Sequence, residues 1–545
     1  MAGIAGQNGA RFNRGDIAAG LAVAALMLPE AVAYAGIAGL SPARGLLAGV
    51  VGCLAYLALG RSRFAIVSAT SSSAAILAAA LATLAPLGAD RDALATIVIL
   101  MVGAAFLIAA LLRLGALAAF VSRPVLRGFA FGLAITIVLR QVPTMLGLHG
   151  LGGDVATLAL GLTRALPSTN PASLVAGGGA LIGLFVLRRW PTLPGALIVL
   201  FAGILASLAF DLPAHGVAMV GHIDIALAMP RLPDLDGGQL MRIAQLTAPL
   251  VLILFAESWG TIRSLALRHG DTVRPDRELA GLGVANLAAG LVQGMPVGAG
   301  FSAGSANEAA GAATRWAAAI AGVTLAILVA VARPLIAHLP EPVLAAVVVA
   351  ALSHALDPAP LVRLFRLRRD MLIGTGAVLG VLALGVVNGM LLAILLSIAS
   401  FLHRASTPAI ARLGQLGDSH DFVSLERHPE ARVPAGMAIW RAGEPLFFAN
   451  AERVLSTMAE RTPADTRMVV VSLEDSFDLD STALDALIEF DRTMAARGAQ
   501  VRLARVRDHL RDLFRAADAQ ALAARSFYSV ADAAAGPIPL EEPVA

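Results

Sequence analysis

Apolar runs long enough to cross a bilayer, or nearly so, recur along the first 404 residues, separated by short polar connections. They lie at 17–38, 44–60, 69–85, 94–112, 124–142, 173–188, 194–211, 247–267, 278–293, 301–313, 316–336, 341–356, 371–387 and 389–404. The runs at 69–85 and 301–313 are rich in Ser, Gly and Ala, and the second is short. They stand third in the first seven and third in the second seven. Short or interrupted segments at matching places in two halves point to an inverted repeat around a central binding site. The pattern predicts an α-helical polytopic membrane protein of 14 transmembrane segments in a 7+7 arrangement. Its transporter domain spans 15–404, with repeat one at about 15–211, repeat two at about 247–404, and residues 1–14 as a preceding segment.

The chain changes character near residue 405. Residues 405–435 read as a polar linker containing Pro408, Pro429 and Pro434. Short strands are predicted at 437–440, 445–448, 467–473 and 501–504, and helices at 451–460, 482–496 and 509–517. Strands alternating with helices describe a compact α/β domain over 436–535, followed by a tail at 536–545.

Composition narrows the class. With 57% hydrophobic and 14% charged residues and a mean hydropathy of +0.77, the chain lies far from the soluble norm. A net charge of +3 gives no argument for a nucleic-acid partner, and all 41 basic side chains are arginine. Cys53 is alone, which excludes an intramolecular disulfide and a cysteine metal cluster. Arg11 and Arg14 precede the first run as in a signal peptide, but that run continues past Glu30 towards Leu40 and reads as an uncleaved first helix.

Arginines set the expected orientation. Arg61 and Arg63 follow the second run, and Arg113, Arg123 and Arg127 flank the loop after the fourth. Arg188 and Arg189 follow the sixth run, and Arg268, Arg274 and Arg277 the eighth. Arg363, Arg366, Arg368 and Arg369 follow the twelfth, as a loop marking topology with a minor share of headgroup contact. The loops 143–172 and 212–240 carry few arginines. Fourteen spans put the arginine-rich loops on one side and both termini in the cytoplasm.

One charge stands out within the apolar stretch 250–267. Glu257 shares a helical face with Thr261 and Ser264, and Gly260 lies beside them. A carboxylate at membrane depth costs about 3 kcal/mol or more unless it faces a cavity or partner, so its default reading is functional. Downstream runs Gly294-Met-Pro-Val-Gly-Ala-Gly-Phe-Ser-Ala-Gly-Ser-Ala-Asn307. A polar helix face beside glycine-rich backbone suggests an ion or solute site between broken helices. The competing structural reading makes Glu257 a hydrogen-bond partner of nearby backbone or serine. Glu30 is equally open between function and a contact with Tyr34 one turn on. Asn286 and Asn307 read as interhelical hydrogen-bonders.

At this point the chain resembles the sulfate permease (SulP) family, the bacterial relatives of the solute carrier 26 anion transporters. The resemblance rests on Leu28-Pro-Glu-Ala-Val-Ala-Tyr-Ala-Gly-Ile-Ala-Gly-Leu-Ser-Pro42 with Gly45, and on Ser122-Arg-Pro-Val-Leu-Arg-Gly-Phe129. It extends to Glu278-Leu-Ala-Gly-Leu-Gly-Val-Ala-Asn286 and Asn307-Glu-Ala-Ala-Gly-Ala-Ala-Thr314. In the soluble tail, Pro445-Leu-Phe-Phe-Ala-Asn450 and Asp480-Ser-Thr482 are similar to the family's STAS domain.

The resemblance implies a UraA-like fold divided into core and gate domains, with spans one, three, eight and ten building the site. It implies that the third and tenth spans are half-helices meeting head-on. Helix N-termini offer unpaired amides and partial positive charge to an anion. The substrate residues expected on this basis are Glu30, Tyr34, Thr70, Ser71, Ser72, Gly300, Phe301, Ser302 and Ala303. Glu257 and Thr261 are the expected coupling-ion residues. The family commonly forms homodimers in the inner membrane, and its tail serves folding, dimer contact or a cytoplasmic partner. Ser481, in the loop where related soluble domains are phosphorylated, is a regulatory candidate; as part of Asp480-Ser481-Thr482 it also reads as a helix cap.

Two departures bear on mechanism. Many relatives carry an arginine after the serine of the tenth span, where this chain has Ala303, and Gly-Pro before the third, where it has Ser68-Ala69. Without that arginine, anion attraction rests on helix dipoles and a coupling cation. Carboxylates beside an anionic substrate favour retention of a proton, so the expected activity is proton-coupled symport of a small anion by alternating access. Sulfate, C4-dicarboxylate and bicarbonate are the candidate classes. Sodium coupling is the alternative, since some bicarbonate-transporting relatives bind sodium with an acidic residue in the eighth span and a threonine four on. An anion channel and a STAS-linked membrane sensor are the other readings. No organic cofactor, metal or enzyme activity is expected: the membrane part shows no His-Glu-x-x-His and no nucleotide loop.

Overall fold

The computed structural model describes residues 13–84, 90–115, 123–151, 153–190, 195–221, 230, 233, 235–353, 355–367 and 370–535. Arg11, Ser122, Arg368, Arg369, most of the segment 1–14, part of the loop 212–240 and the tail 536–545 lie outside them. The chain forms two compact units, Met1–Ser397 and Ile398–Ala545.

The first unit is built from helices α1 (Arg14–Ala38), α2 (Pro42–Tyr56), α3 (Ser71–Leu84), α4 (Arg91–Leu111), α5 (Arg123–Leu146), α6 (Val155–Ala165), α7 (Pro171–Leu187) and α8 (Gly195–Phe210). It continues with α9 (Gly237–His269), α10 (Pro275–Leu291), α11 (Phe301–Ala309), α12 (Trp316–Ile336), α13 (Glu341–Leu352), α14 (Ala359–Leu367) and α15 (Met371–Ser406), which runs on into the second unit. Local chemistry sets many of the ends. Asn13 and Asp236 open α1 and α9 with capping boxes, and left-handed Gly39 and Gly270 close them. Pro42, Pro171 and Pro275 take first-turn positions, where a missing N–H is harmless.

Each of the fourteen apolar runs falls on a helix, the last two on the arms of α15. That helix is broken at Gly385 (φ 82°, ψ 173°), a conformation only glycine adopts readily. Among the described residues, five helices are long and apolar enough to cross a membrane by themselves: α1, α4, α5 from Pro124, α9 and α15. The segment through α6 and a 3-10 turn joins α7 at a bend of 118° and counts as a sixth only if the bent pair is one span. Both α6 and α14 lie in segments read as loops. Asp154 caps α6 through Thr157 N, and α14 mixes arginine with apolar residues too closely for a hydropathy run to show.

Two short strands sit inside the first unit, β1 (Val67–Ala69) and β2 (Val297–Ala299). They pair antiparallel, Val67 with Ala299, Ser68 with Gly298 and Ala69 with Val297, and all six residues are buried. Each strand leads into a short helix, α3 with 14 residues and α11 with 9. These are about 21 and 14 Å long, well short of a hydrocarbon core of about 30 Å. Around them, α1 packs on α2, α3, α11 and α12, while α9 packs on α3, α4, α11 and β2.

The second unit has a five-stranded sheet in the order β4-β3-β5-β6-β7. Its strands are β3 (Ile410–Gln415), β4 (Phe422–Ser424), β5 (Met437–Ala442), β6 (Met468–Ser472) and β7 (Gln500–Ala504). β5, β6 and β7 run parallel, and β3 joins β5 antiparallel. Helices α16 (Ala451–Arg461), α17 (Ser481–Ala496) and α18 (Asp508–Ala516) cover one face, against Ala438, Trp440, Val469 and Val471. α19 (Gln520–Ala524) follows, and α20 (Val530–Ala535) covers the other face, against Ile439 and Val470. Thus β3 and β4 occupy part of the segment read as a linker. The predicted strand at 445–448 is instead the turn into α16, held by Asn450, which accepts from Phe447 N at 3.1 Å and donates to Pro445 O at 2.9 Å.

Candidate functional site

The irregular backbone around β2 is held by side chains from neighbouring helices. Asn286 of α10 grips Val297 at both ends, donating to its carbonyl at 2.8 Å and accepting from its amide at 2.9 Å. Ser258 Oγ of α9 accepts from Ala299 N at 2.9 Å, and Ser73 Oγ of α3 donates to Pro296 O at 3.1 Å. Away from water, each such backbone group needs a partner. Gly298 faces α9 so closely that a Cβ there would lie 2.7 Å from Leu254 Cδ2 and 2.9 Å from Ser258 Oγ.

The start of α3 is a reciprocal cap. Thr70 N donates to Ser73 Oγ at 3.0 Å, and Ser73 N donates to Thr70 Oγ1 at 3.1 Å. Thr70 Oγ1 lies 2.9 Å from Ser72 Oγ, which in turn donates to Glu257 Oε2. A chain of hydroxyls therefore runs from the first half-helix to the carboxylate of α9. Across the strand pair, Ser302 Oγ of α11 reaches Glu30 Oε1 of α1 at 3.5 Å. Gly300 caps α11 in an extended conformation with no side-chain hydrogen bond, which leaves the first amides of that helix open. Tyr34, buried one turn after Glu30, lies within electrostatic reach of both Glu30 and Glu257.

The expected residues divide as follows. Glu257, Thr70 and Ser72 are joined by hydrogen bonds; Glu30 and Ser302 form a second pair; Tyr34 lies close to both carboxylates. Ser71 is half-buried at the first position of α3, and Gly300 precedes Phe301, which is 52% exposed. Thr261 is buried one turn beyond Glu257, its methyl 3.2 Å from where a Gly304 Cβ would stand. Ala303 turns away into a cluster with Val23, Ile66 and Leu325. In the second unit, Ser481 is the exposed first residue of α17, and Asp480 is its cap, accepting from Ala483 N at 2.8 Å and Phe448 N at 2.7 Å.

Among the described residues of the first unit, three further buried charged residues were not singled out from the sequence. Asp16 of α1 accepts from Ala313 N and Thr314 N, both at 2.8 Å, beyond the far end of α11. Glu278 of α10 accepts from Tyr56 OH and from Arg61 N at 3.1 Å. Arg44 spreads its guanidinium over Gly294 O (3.1 Å), Asp92 O (3.1 Å) and Thr96 Oγ1 (3.0 Å). Glu308 adds a partly exposed tie from α11 to the end of α9, at 3.1 Å from Arg268 and 2.7 Å from His269. Among the described residues, no group of three or more His, Cys, Asp or Glu is placed to hold a metal ion.

Chemically, the arrangement offers two carboxylates that can hold a proton or cation, beside open helix-start amides suited to an anion. Residues 14–375 match the sulfate permease family, and residues 428–533 match the STAS domain. The chain is 34% identical over 513 residues to the "Probable sulfate transporter" of Mycobacterium tuberculosis, covering 93% of this chain and 92% of that one. Its fold matches murine Solute Carrier 26 family member A9, an anion transporter solved in the inward-facing state, with a TM-score of 0.86 and 19% identity over 96% of this chain and 92% of that one. It also matches the transmembrane domain of the cyanobacterial bicarbonate transporter BicA, with a TM-score of 0.62 and 22% identity over 72% of this chain and 98% of that one.

Proposed function

The chain belongs to the sulfate permease family, and we propose that it is a multi-pass secondary transporter that carries a small anion with a proton by alternating access. The observation that carries this reading is the hydroxyl chain from Thr70 through Ser72 to Glu257, matched across the strand pair by Ser302 and Glu30. The anion sits between the starts of α3 and α11, where amides and hydroxyls donate. Glu257 takes up the proton that lets an anion enter beside a carboxylate, since two facing negative charges repel at short range. The family's transport of anions fits a site whose hydroxyls and helix-start amides suit reversible binding of one.

Fourteen spans in two inverted halves of seven are part of the same proposal, with α1 and α9, and α3 and α11, as equivalent pairs. The exchanged packing supports it: α1 contacts both α3 and α11, and so does α9. Inner-membrane placement with both termini cytoplasmic follows from the arginine-rich loops, and a homodimer and a partner for the STAS domain complete the picture. Sodium coupling is the second reading, favoured by Thr261 four residues after Glu257 and by the two hydroxyls near that carboxylate.

Uptake into proteoliposomes of labelled sulfate, succinate or bicarbonate, each under an imposed proton or sodium gradient, tests the proposal. Accumulation of one anion driven by protons is expected. Accumulation driven by sodium alone replaces the coupling, and gradient-independent flux of channel magnitude removes the symport reading.

A further inference from the structure

α14 is a short helix with three different faces. Leu364 is buried and Leu361 half-buried, and their side chains lie 2.8 and 3.6 Å from where a Cβ of Gly374 on α15 would stand. At about 100° per residue, Arg363 and Arg366 fall on the opposite side. Both are exposed, and among the described residues neither forms a hydrogen bond or an ion pair. Between these faces lies an apolar flank, with Val362 51% and Phe365 52% exposed.

The neighbouring helices carry residues typical of a membrane surface. α14 starts seven residues after α13 ends and stops four residues before α15 begins, so both of its ends are leashed to apolar helices. Arg188, following α7, donates to Ala350 O and to Ser353 Oγ at the end of α13, with its guanidinium 4.7 Å from the Phe185 ring centroid. Trp190, two residues on, is 52% exposed. Arginine and tryptophan at a helix end mark the interfacial layer. The start of α5, which carries exposed Arg127, packs through Gly128 on Gly374 O beside the same corner.

We propose that α14 lies in the plane of the membrane surface, seats Val362 and Phe365 among the acyl chains, and binds anionic phospholipid headgroups through Arg363 and Arg366. A helix exposing only apolar residues would need no headgroup, and one exposing only arginines would stay in water. The two together, one turn deep and flanked by interfacial residues, fit a phosphodiester with its tails. Free phosphate offers the same charge but nothing for Val362 and Phe365.

The test uses the full chain in bilayers of mixed phosphatidylglycerol and phosphatidylcholine, with retained lipid identified by native mass spectrometry after release. Wild type is expected to retain phosphatidylglycerol preferentially, and R363Q/R366Q to lose about tenfold of that preference. In parallel, F365C labelled with an environment-sensitive dye should be quenched by brominated lipid; Cys53 is buried and leaves the label specific. An unchanged lipid preference in R363Q/R366Q overturns the headgroup site. A dye quenched by aqueous iodide and not by brominated lipid overturns the in-plane placement.

Discussion

Asp16 and Thr314 are locked together by two hydrogen bonds, from Thr314 N to one carboxylate oxygen at 2.8 Å and from Thr314 Oγ1 to the other at 2.7 Å. The pair ties the start of α1 to the turn beyond α11. Ser302 and Glu30 join the same two helices at the site. α11 is thus tied to α1 at its start and just beyond its end, which fixes the opening of α11 against Glu30.

That clasp predicts a stability effect without a change of substrate. Asp16→Ala leaves two part-buried amides without their carboxylate partner and should destabilise the membrane unit by roughly 2 kcal/mol. Thr314→Val removes only the hydroxyl bond and should cost about 1 kcal/mol. Denaturant unfolding of the purified protein, followed by a probe on α11, checks the order of the two effects.

Replacement of Glu257 separates coupling from binding. Glu257→Gln keeps the size of the side chain but removes its titration. It should reduce proton-driven accumulation at least about tenfold, the loss expected of a group that handles a proton directly, while exchange of internal for external anion continues. Paired uptake and counterflow assays in proteoliposomes decide the point. Undiminished proton-driven uptake would remove Glu257 from its assigned role.

A side chain at Gly298 has nowhere to go. Gly298→Val would drive methyls into Leu254 and Ser258 of α9, and overpacking of that kind costs about 1–3 kcal/mol. Transport should fall sharply while the STAS domain stays folded, which circular dichroism of the intact chain and limited proteolysis would report.

Asn286 offers a contrasting case, because its role is entirely to partner backbone. Asn286→Leu strands both the amide and the carbonyl of Val297. A penalty of roughly 1–3 kcal/mol for each is expected, larger in sum than for Asp16→Ala. Thermal unfolding of the two variants side by side tests that ranking.

The sequence made some of this legible and hid the rest for physical reasons. Hydropathy located the helices because lipid-facing residues must be apolar throughout, and Glu257 stood out against that background. The small-residue run around Gly298 and Ser302 suggested broken helices, and a short strand and a short helix lie there. What stayed hidden depends on separation along the chain: Arg44 meets Gly294 across 250 residues, and Asp16 meets Thr314 across 298. Asp16 also serves the capping box at Asn13, a local role that gives no hint of its distant partner. Strands of three residues, such as β1, β2 and β4, are too short for alternation to register. Thr261, four residues after Glu257, is buried with its methyl beside Gly304, a contact with α11 that helical spacing could not show.

The antiparallel bridge centred on Ser68 and Gly298 has one more consequence. It splices the two half-helices into a single yoke, so neither mouth of the site can shift without dragging the other. Under the proposed alternating access, a bound anion would keep the same ring of donors whichever compartment it faces. On that proposal, the affinity for the anion should differ little between the two sides.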